Sequence, residues 1–162
     1  MSTLRESTIT SVPPAQLAAW RAFLEAHAHT TEILSRELKA EEDLPLSWYD
    51  VLVHLNEADD HQLRMQELAD RILLSKSGLT RLIDRMEREG LVLRSACPSD
   101  RRGTYAELTP HGLETLRRSA PTHLRGVRDH FASLLTEEEA EVLESALDRI
   151  AAAAREAAQG SR

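Results

Sequence analysis

The sequence has a single cysteine, Cys97, among its 162 residues, so no disulfide can form within one chain. It has no apolar run close to the roughly 18 residues that a membrane-spanning helix requires, and residues 1–12 lack the apolar core of a secretion signal. These absences predict a cytoplasmic protein with no membrane partner. Since no Gly-rich phosphate loop, nucleophile motif or cluster of acid and base residues is visible, we expect neither an enzyme nor a bound cofactor.

The seven histidines are not spaced as a metal site requires. On a helix, His27 and His29 point to opposite sides, while His123 and His130 are two turns, about 10 Å, apart, which is too far for one ion. Neither an HxxxH nor a CxxC motif occurs. The sequence therefore predicts no metal ligands.

The formal net charge is −7, but the charge is unevenly distributed. Residues 71–102 carry eight Lys and Arg against four Asp and Glu, a net charge of +4, whereas the rest of the chain carries −11. One basic segment on an acidic body favours local, oriented contact with phosphates over general adhesion to nucleic acid. A solvated helix with ordinary surface charge is the alternative explanation.

Apolar spacing predicts long helices toward both ends of the chain. Residues 1–12 are Ser- and Thr-rich without a period, and we expect a flexible tail there. Beyond Pro14, seven residues recur at alternating steps of three and four, as on the buried stripe of a helix; they are Leu17, Trp20, Leu24, His27, Thr31, Leu34 and Leu38. Toward the other end, Thr109 and Thr136 are predicted N-caps, and Pro121 should kink or divide the helix between them.

The middle of the chain has the spacing of a helix-turn-helix. A helix is predicted to start at Ser47, with Asp50 as the capping-box partner of that N-cap. Two short amphipathic helices follow, separated by a turn of about three residues, and Ser75 is the predicted cap of the second one. Gly90 is the expected end of that second helix.

Two strand candidates, residues 91–95 and 104–108, flank a turn at 98–103. This hairpin beside a helix-turn-helix predicts a winged helix-turn-helix, so we expect a mainly α fold with a small β-hairpin, which we name the wing.

The predicted division of the chain follows from these elements. Residues 46–108 would form the winged helix-turn-helix, which we name the head. Residues 13–45 and 109–159 would form helices of a dimerisation arm, because their apolar stripes are longer than the head can cover. Two heads of a homodimer would lie about one helical turn, about 34 Å, apart on a palindromic duplex.

The helix that Ser75 caps is predicted to bind phosphates at its N-terminus and on one flank. Lys76 and Ser77 lie with Ser75 in the first turn, where free N–H groups and the helix dipole favour an anion. Arg85 flanks the outward face and is placed for a phosphate contact.

The same outward face of this helix is also predicted to read bases. Arg81 is the candidate for a bidentate contact to guanine, and Thr80 for a contact with a thymine methyl group. Asp84 lies on this face too, where a carboxylate would be repelled by DNA. We therefore expect it to orient a nearby arginine or to accept from a cytosine amine.

The tip of the wing is predicted to enter the minor groove. Arg101 and Arg102 supply the cations that the narrow groove attracts. Asp100 could pair with an arginine and hold the tip in shape, while Gly103 would permit the tight turn. Adjacent charges of this kind also occur in ordinary surface turns.

The sequence resembles the MarR family of bacterial transcriptional regulators over roughly residues 15–150. The residues that carry the resemblance are Met65-Gln-Glu-Leu-Ala69, Leu74-Ser-Lys-Ser-Gly-Leu-Thr-Arg-Leu-Ile-Asp-Arg-Met86, Glu89-Gly-Leu-Val92, Cys97-Pro-Ser-Asp-Arg-Arg-Gly103 and Leu108-Thr-Pro-His-Gly112, with Trp48-Tyr-Asp-Val-Leu52 before them and Leu135-Thr-Glu-Glu-Glu139 after them.

This resemblance implies a winged-helix homodimer that binds a palindromic operator in double-stranded DNA, usually as a repressor. It also implies release of the DNA when a small effector, often aromatic or anionic, binds between the arm and the head. The residues for which it implies DNA contact are Ser75, Lys76, Ser77, Thr80, Arg81, Arg85, Arg101 and Arg102.

Two polar residues, His27 and Thr31, interrupt the apolar stripe of the first long helix. If the second helix packs there, an apolar hollow with few polar groups results, which is typical of a small-ligand site. A buried, hydrogen-bonded histidine in a dimer core is the alternative. The residues of this candidate pocket are Trp20, Leu24, His27, Thr31, Trp48 and His54.

Other functions remain open at the level of sequence. The protein could be an activator or a DNA binder that needs no ligand, and a winged helix can also serve protein–protein contact alone. A redox-responsive regulator is a further alternative, because Cys97 is followed by Arg101 and preceded by Arg94, and nearby cations lower a thiol pKa.

Overall fold

The computed structural model describes residues 12–72, 74–98 and 100–160, without the side chains of Arg101, Arg102 and Gln159. The predicted tail lies outside these residues except for Val12. The described helices are α1 (Pro14–Glu42), α2 (Leu46–Glu57), α3 (Met65–Arg71), α4 (Lys76–Arg88), α5 (Pro110–His130) and α6 (Glu137–Gln159), and the strands are β1 (Gln62–Arg64), β2 (Val92–Cys97) and β3 (Asp100–Leu108).

The three strands form one antiparallel sheet in the order β1-β3-β2. β2 and β3 are the wing, paired from Val92 opposite Leu108 to Ala96 opposite Thr104, with an irregularity between Ala96 and Cys97. The predicted mainly α fold with a small hairpin is confirmed. β1 was not predicted, because three residues are too few to show a two-residue period.

The wing strands are longer than the sequence predicted. Strand β2 extends to Cys97 and β3 begins at Asp100, so the predicted turn at 98–103 is wrong from Asp100 onward. Asp100 and Gly103 therefore lie in a strand and not in a turn. The charged tip looked like a turn because Pro, Ser, Asp and Gly are typical turn residues.

The predicted start of α2 at Ser47 is wrong. The helix begins at Leu46 with Pro45 at the N-cap position, and no side chain caps it, so the Asp50 capping box does not form. Pro45 has extended backbone angles (φ −63°, ψ 138°), and its carbonyl oxygen accepts hydrogen bonds from the N–H groups of Trp48 (2.9 Å) and Tyr49 (3.1 Å). The proline ring restricts the backbone of Pro45, and the helix therefore begins one residue earlier than predicted.

Helix α5 continues through Pro121 and is not divided there. It packs mainly against α1. A Cβ atom on Gly126 of α5 would lie only 2.6 Å from the Leu34 side chain, so the two helices approach closely. Ion pairs flank this contact, with Arg125 of α5 2.5 Å from Glu41 of α1. Packing along the whole length of the helix outweighs the one hydrogen bond that proline removes.

The core of the head fills the space between α2, α3, α4 and the sheet. The inward face of α4 is the one that the sequence predicted, with four buried side chains, Leu79, Leu82, Ile83 and Met86. Burial of this stripe determines the rotation of α4, and so the polar face on its other side is directed outward.

The predicted N-cap at Thr109 anchors α5 to the head. The Thr109 hydroxyl accepts from the N–H of Gly112 (2.9 Å) and donates to the carbonyl oxygen of Gly90 (2.6 Å), just beyond α4. A Cβ atom on Gly112 would lie 2.1 Å from the carbonyl oxygen of Leu91. The first turn of α5 is therefore in backbone contact with the segment between α4 and the wing.

Candidate nucleic-acid interface

Helix α4 begins with the predicted serine cap. The Ser75 hydroxyl accepts a hydrogen bond from the Gly78 N–H at 3.1 Å, and the Ser75 and Ser77 hydroxyl oxygens are 3.3 Å apart. Ser75, Lys76 and Ser77 are all exposed. The positive end of the helix dipole and the first-turn N–H groups are thus presented to solvent together with a lysine, which is an arrangement that favours an anion.

The centre of α4 presents two exposed arginines, Arg81 and Arg85. Within the described residues neither of them takes part in an ion pair, so both guanidinium groups are available to a ligand. Thr80, which precedes Arg81, is also exposed, and its hydroxyl donates to the Lys76 carbonyl oxygen at 2.8 Å. These placements agree with the outward face that the sequence predicted.

Asp84, on the same outward face of α4, forms an ion pair with an arginine. Its carboxylate lies 2.7 Å from a guanidinium nitrogen of Arg94 in strand β2, and the same guanidinium is 2.7 Å from Glu87. The arginine that Asp84 was expected to orient is therefore Arg94, a residue of the wing. Sequence reasoning did not single out Arg94 as part of the site, because its partners are seven and ten positions away.

The wing and β1 enclose a cleft against the start of α4, of about 380 Å³, lined in part by Arg64, Lys76 and Arg94. Asp100 lies 3.7 Å from Arg64, and the Arg64 guanidinium lies 5.9 Å from the centre of the Tyr105 ring. Arg64 is a site residue that sequence reasoning missed. Through its contact with Asp100, Arg64 connects the short strand β1 to the first residue of the wing strand β3.

Gly103 has a different role from the predicted one. No left-handed backbone angle requires glycine there, but a Cβ atom would lie 2.9 Å from the Cβ of Cys97 across the hairpin. Cys97 itself is buried, with 4% of its surface exposed. Burial limits access of an oxidant to this thiol, and the redox alternative gains no support from it.

The structure describes the backbone but not the side chains of the two wing arginines. The backbone of Arg101 and Arg102 belongs to β3, whereas their side chains are outside the described part of the structure. Their contact with the minor groove therefore stays a prediction.

Comparison with known proteins agrees with this geometry. Residues 42–103 match the model of the MarR family. The structure is similar to the crystal structure of AbsC, a MarR family transcriptional regulator from Streptomyces coelicolor, with a TM-score of 0.82 and 41% identity over 90% of this chain and 97% of AbsC. This chain belongs to the MarR family.

Two further transcriptional regulators extend the comparison. Sco3205 from Streptomyces coelicolor, a MarR family regulator solved in complex with DNA, has a TM-score of 0.80 and 35% identity over 87% of this chain and 89% of its own. MhqR, an HTH-type transcriptional regulator of Bacillus subtilis, is 36% identical over 86 residues, which are 53% of this chain and 59% of MhqR. These relatives are regulators, so the prediction that the chain is not an enzyme is confirmed.

The candidate ligand-pocket residues are divided between two helices. On α1, Trp20 and Leu24 are 55% and 44% exposed. His27 is also exposed there, beside Phe23, and the Thr31 hydroxyl bonds the His27 carbonyl oxygen at 2.7 Å. The other two residues, Trp48 and His54, are half-buried on α2. One chain does not enclose the α1 side of this pocket, which stays a prediction.

A contact between the head and the arm was not predicted. The ring of Tyr49 in α2 lies 4.3 Å from that of His123 in α5, between centroids. Tyr49 is 5% exposed, and His123 Nδ1 is buried without a hydrogen-bond partner among the described residues. Burial lowers the pKa of His123, against the opposing effect of the Asp50 charge.

Among residues 12–72, 74–98 and 100–160, no helix is both long and apolar enough to span a bilayer. In the same part of the chain, no three or more His, Cys, Asp and Glu side chains are grouped as metal ligands would be.

We expect the fold to lose stability on the acid side through His123. Since the folded state depresses this pKa, the unfolded chain takes up the proton first as the pH falls through about 6.5, and protonation then favours unfolding. In His123→Gln, the fall in Tm between about pH 7.5 and about pH 5.5 should be smaller than in the wild type. Scanning calorimetry at both pH values measures it.

The matched control is His29→Gln, because His29 is exposed on α1. This variant should keep the wild-type fall in Tm. Equal falls in the wild type and in His123→Gln would show that His123 does not contribute to the acid sensitivity.

Proposed function

We propose that this MarR-family protein is a cytoplasmic homodimeric repressor that binds a palindromic operator and leaves it when a small aromatic or anionic effector binds. The observation that carries the proposal is the outward face of α4. There Arg81 and Arg85 are exposed without ion-pair partners in the described structure, while Asp84 is paired with Arg94.

The charge distribution supports contact with DNA through the head alone. The basic segment, residues 71–102, includes α4 and β2. The rest of the chain is acidic and would be repelled by phosphates. Binding is thus oriented, with α4 in the major groove and the wing beside it.

Exposed apolar side chains on the arm support a homodimer. None of the described side chains of α6 is buried, although Val142 and Ile150 are 71% and 63% exposed apolar residues on it. Leu124 of α5 is 61% exposed, and Trp20 of α1 is 55% exposed. Apolar surface of this extent on three helices favours a partner, and a second copy with the same surface closes it in a two-fold dimer.

The effector site that we propose lies between the arm and the head, where Trp48 and His54 are half-buried and the second chain would cover Trp20. An apolar site with few polar groups favours an aromatic acid. A series of benzoic and phenolic acids should raise Tm by mass action. Trp48→Ala or His54→Ala should reduce this rise, measured from each variant's own ligand-free Tm, whereas Leu134→Ala, at an exposed position, should not.

Substitution of the α4 and wing arginines tests DNA recognition. Arg81→Ala should weaken binding to the operator by about 1–3 kcal/mol and relax the preference at one base pair. Arg101→Ala combined with Arg102→Ala should weaken binding to every duplex and flatten the dependence of affinity on salt. Anisotropy titrations against the DNA flanking its own gene, and against random duplex, measure both effects.

Arg155→Ala is the control for loss of one positive charge, because Arg155 is exposed on α6, away from the head. It should bind like the wild type. In a reporter strain, Arg81→Ala should raise expression from the operator promoter, and reduced expression would make the protein an activator. Equal affinity of the wild type for its own flanking DNA and for random duplex would refute the proposal.

The oligomeric state is testable with the α6 stripe. We expect the wild type to be a dimer by light scattering after size exclusion. Val142→Asp combined with Ile150→Asp should give monomers, because charge is introduced on the apolar face, and should lose most of the operator affinity.

Ser145→Asp is the matched control, since Ser145 is exposed off this stripe and already bonds Arg149 at 2.9 Å. It should stay dimeric. A wild-type monomer at micromolar concentration would contradict the homodimer.

A further inference from the structure

Arg94 of the wing strand β2 holds α4 through several polar contacts. Its guanidinium lies 2.7 Å from both the Asp84 and the Glu87 carboxylates, and it donates to the Thr80 carbonyl oxygen at 3.2 Å. The backbone N–H of Arg94 also donates to the second Glu87 oxygen at 3.0 Å. One residue thus spans seven positions, or about two turns, of the helix.

The geometry of these contacts suits an arginine and no other side chain. The planar guanidinium presents N–H groups in a fixed fork that can serve two carboxylates and a carbonyl at once, whereas a lysine ammonium is a single point charge. The Arg94 side chain is 25% exposed, less than either carboxylate that it bonds (49% for Asp84 and 39% for Glu87). Both terminal nitrogens of its guanidinium are bonded to groups of α4.

The contacts have two consequences for the interface. They connect the wing to the helix that carries Arg81, so the two parts are held at a set spacing. They also pair Asp84 and Glu87 with a cation, which lowers the negative charge of this group from two to one and leaves neither carboxylate unpaired beside the exposed cations of α4. A phosphate backbone would be repelled by those carboxylates.

We propose that Arg94 is a positioning residue for DNA recognition, acting through Asp84 and Glu87 and not by touching DNA. It sets the wing against α4 so that both reach the duplex together, and it shields the DNA from the two carboxylates. This inference rests on the proposed function for its effect on DNA. Its effect on the wing is independent of DNA.

A double-mutant cycle tests the proposal. Arg94→Ala should weaken operator binding about tenfold or more, and Arg94→Lys, which keeps the charge, should not restore it. In the Asp84→Asn, Glu87→Gln background the further change Arg94→Ala should cost less than about twofold, because the groups through which Arg94 acts are already neutral. Arg155→Ala remains the charge control and should bind normally.

A second measurement tests the effect of Arg94 on the stability of the wing in the absence of DNA. Amide hydrogen exchange in 92–97 and 104–108 should be faster in Arg94→Ala than in the wild type, while exchange in the middle of α5 stays unchanged. This comparison separates a local release of the wing from general loss of folding.

The outcomes are distinguishable. Equal losses of affinity from Arg94→Ala in the two backgrounds, or full affinity in Arg94→Lys, would show that Arg94 contacts DNA directly as a charge and would overturn the proposal. Unchanged wing exchange in Arg94→Ala would also overturn it, even if the wild type bound no operator. Failure of the wild type to prefer any operator, with faster wing exchange in the variant, would refute the proposed function alone.

Discussion

Burial of the apolar stripe of α4 is the constraint on which the interface depends. Leu79, Leu82, Ile83 and Met86 are within the core of the head, and a helix has only one rotation that buries such a stripe. The same rotation directs Arg81 outward. The cost of exposing four apolar side chains therefore holds the exposed basic side of α4 in place without any contact from the basic residues themselves.

The charged side chains of the described structure fall into two groups, those that form ion pairs with each other and those that do not. The carboxylates of α4 are engaged by Arg94, while Arg81 and Arg85 are left without ion pairs in the described structure. On the arm, the charged side chains between α1 and α5 pair with each other, as Glu41 and Arg125 do. The net charge of −7 is therefore a poor guide to DNA binding by this chain. Attraction to a phosphate depends on the local electrostatic field of the head and not on the total charge.

Features that depend on residues three or four apart could be predicted from the sequence. The caps at Ser75, Thr109 and Thr136 form as expected, because each is a hydrogen bond within one helical turn. Ser47 was a wrong cap although it has a suitable side chain, since the preceding Pro45 already accepts the first N–H bonds. Local rules fail where two of them compete at neighbouring positions.

The sequence by itself determined the family, the helices, the buried face of α4 and the location of the basic segment, because periodicity and charge are properties of neighbouring residues. Only the tertiary structure decided that Arg94 forms ion pairs with α4, that β1 pairs with the wing strand β3, and that the rings of Tyr49 and His123 are in contact. The partners in these contacts are between seven and seventy-four positions apart. Their meeting depends on how helices and strands pack, which is a balance of burial over the whole domain and has no local signature.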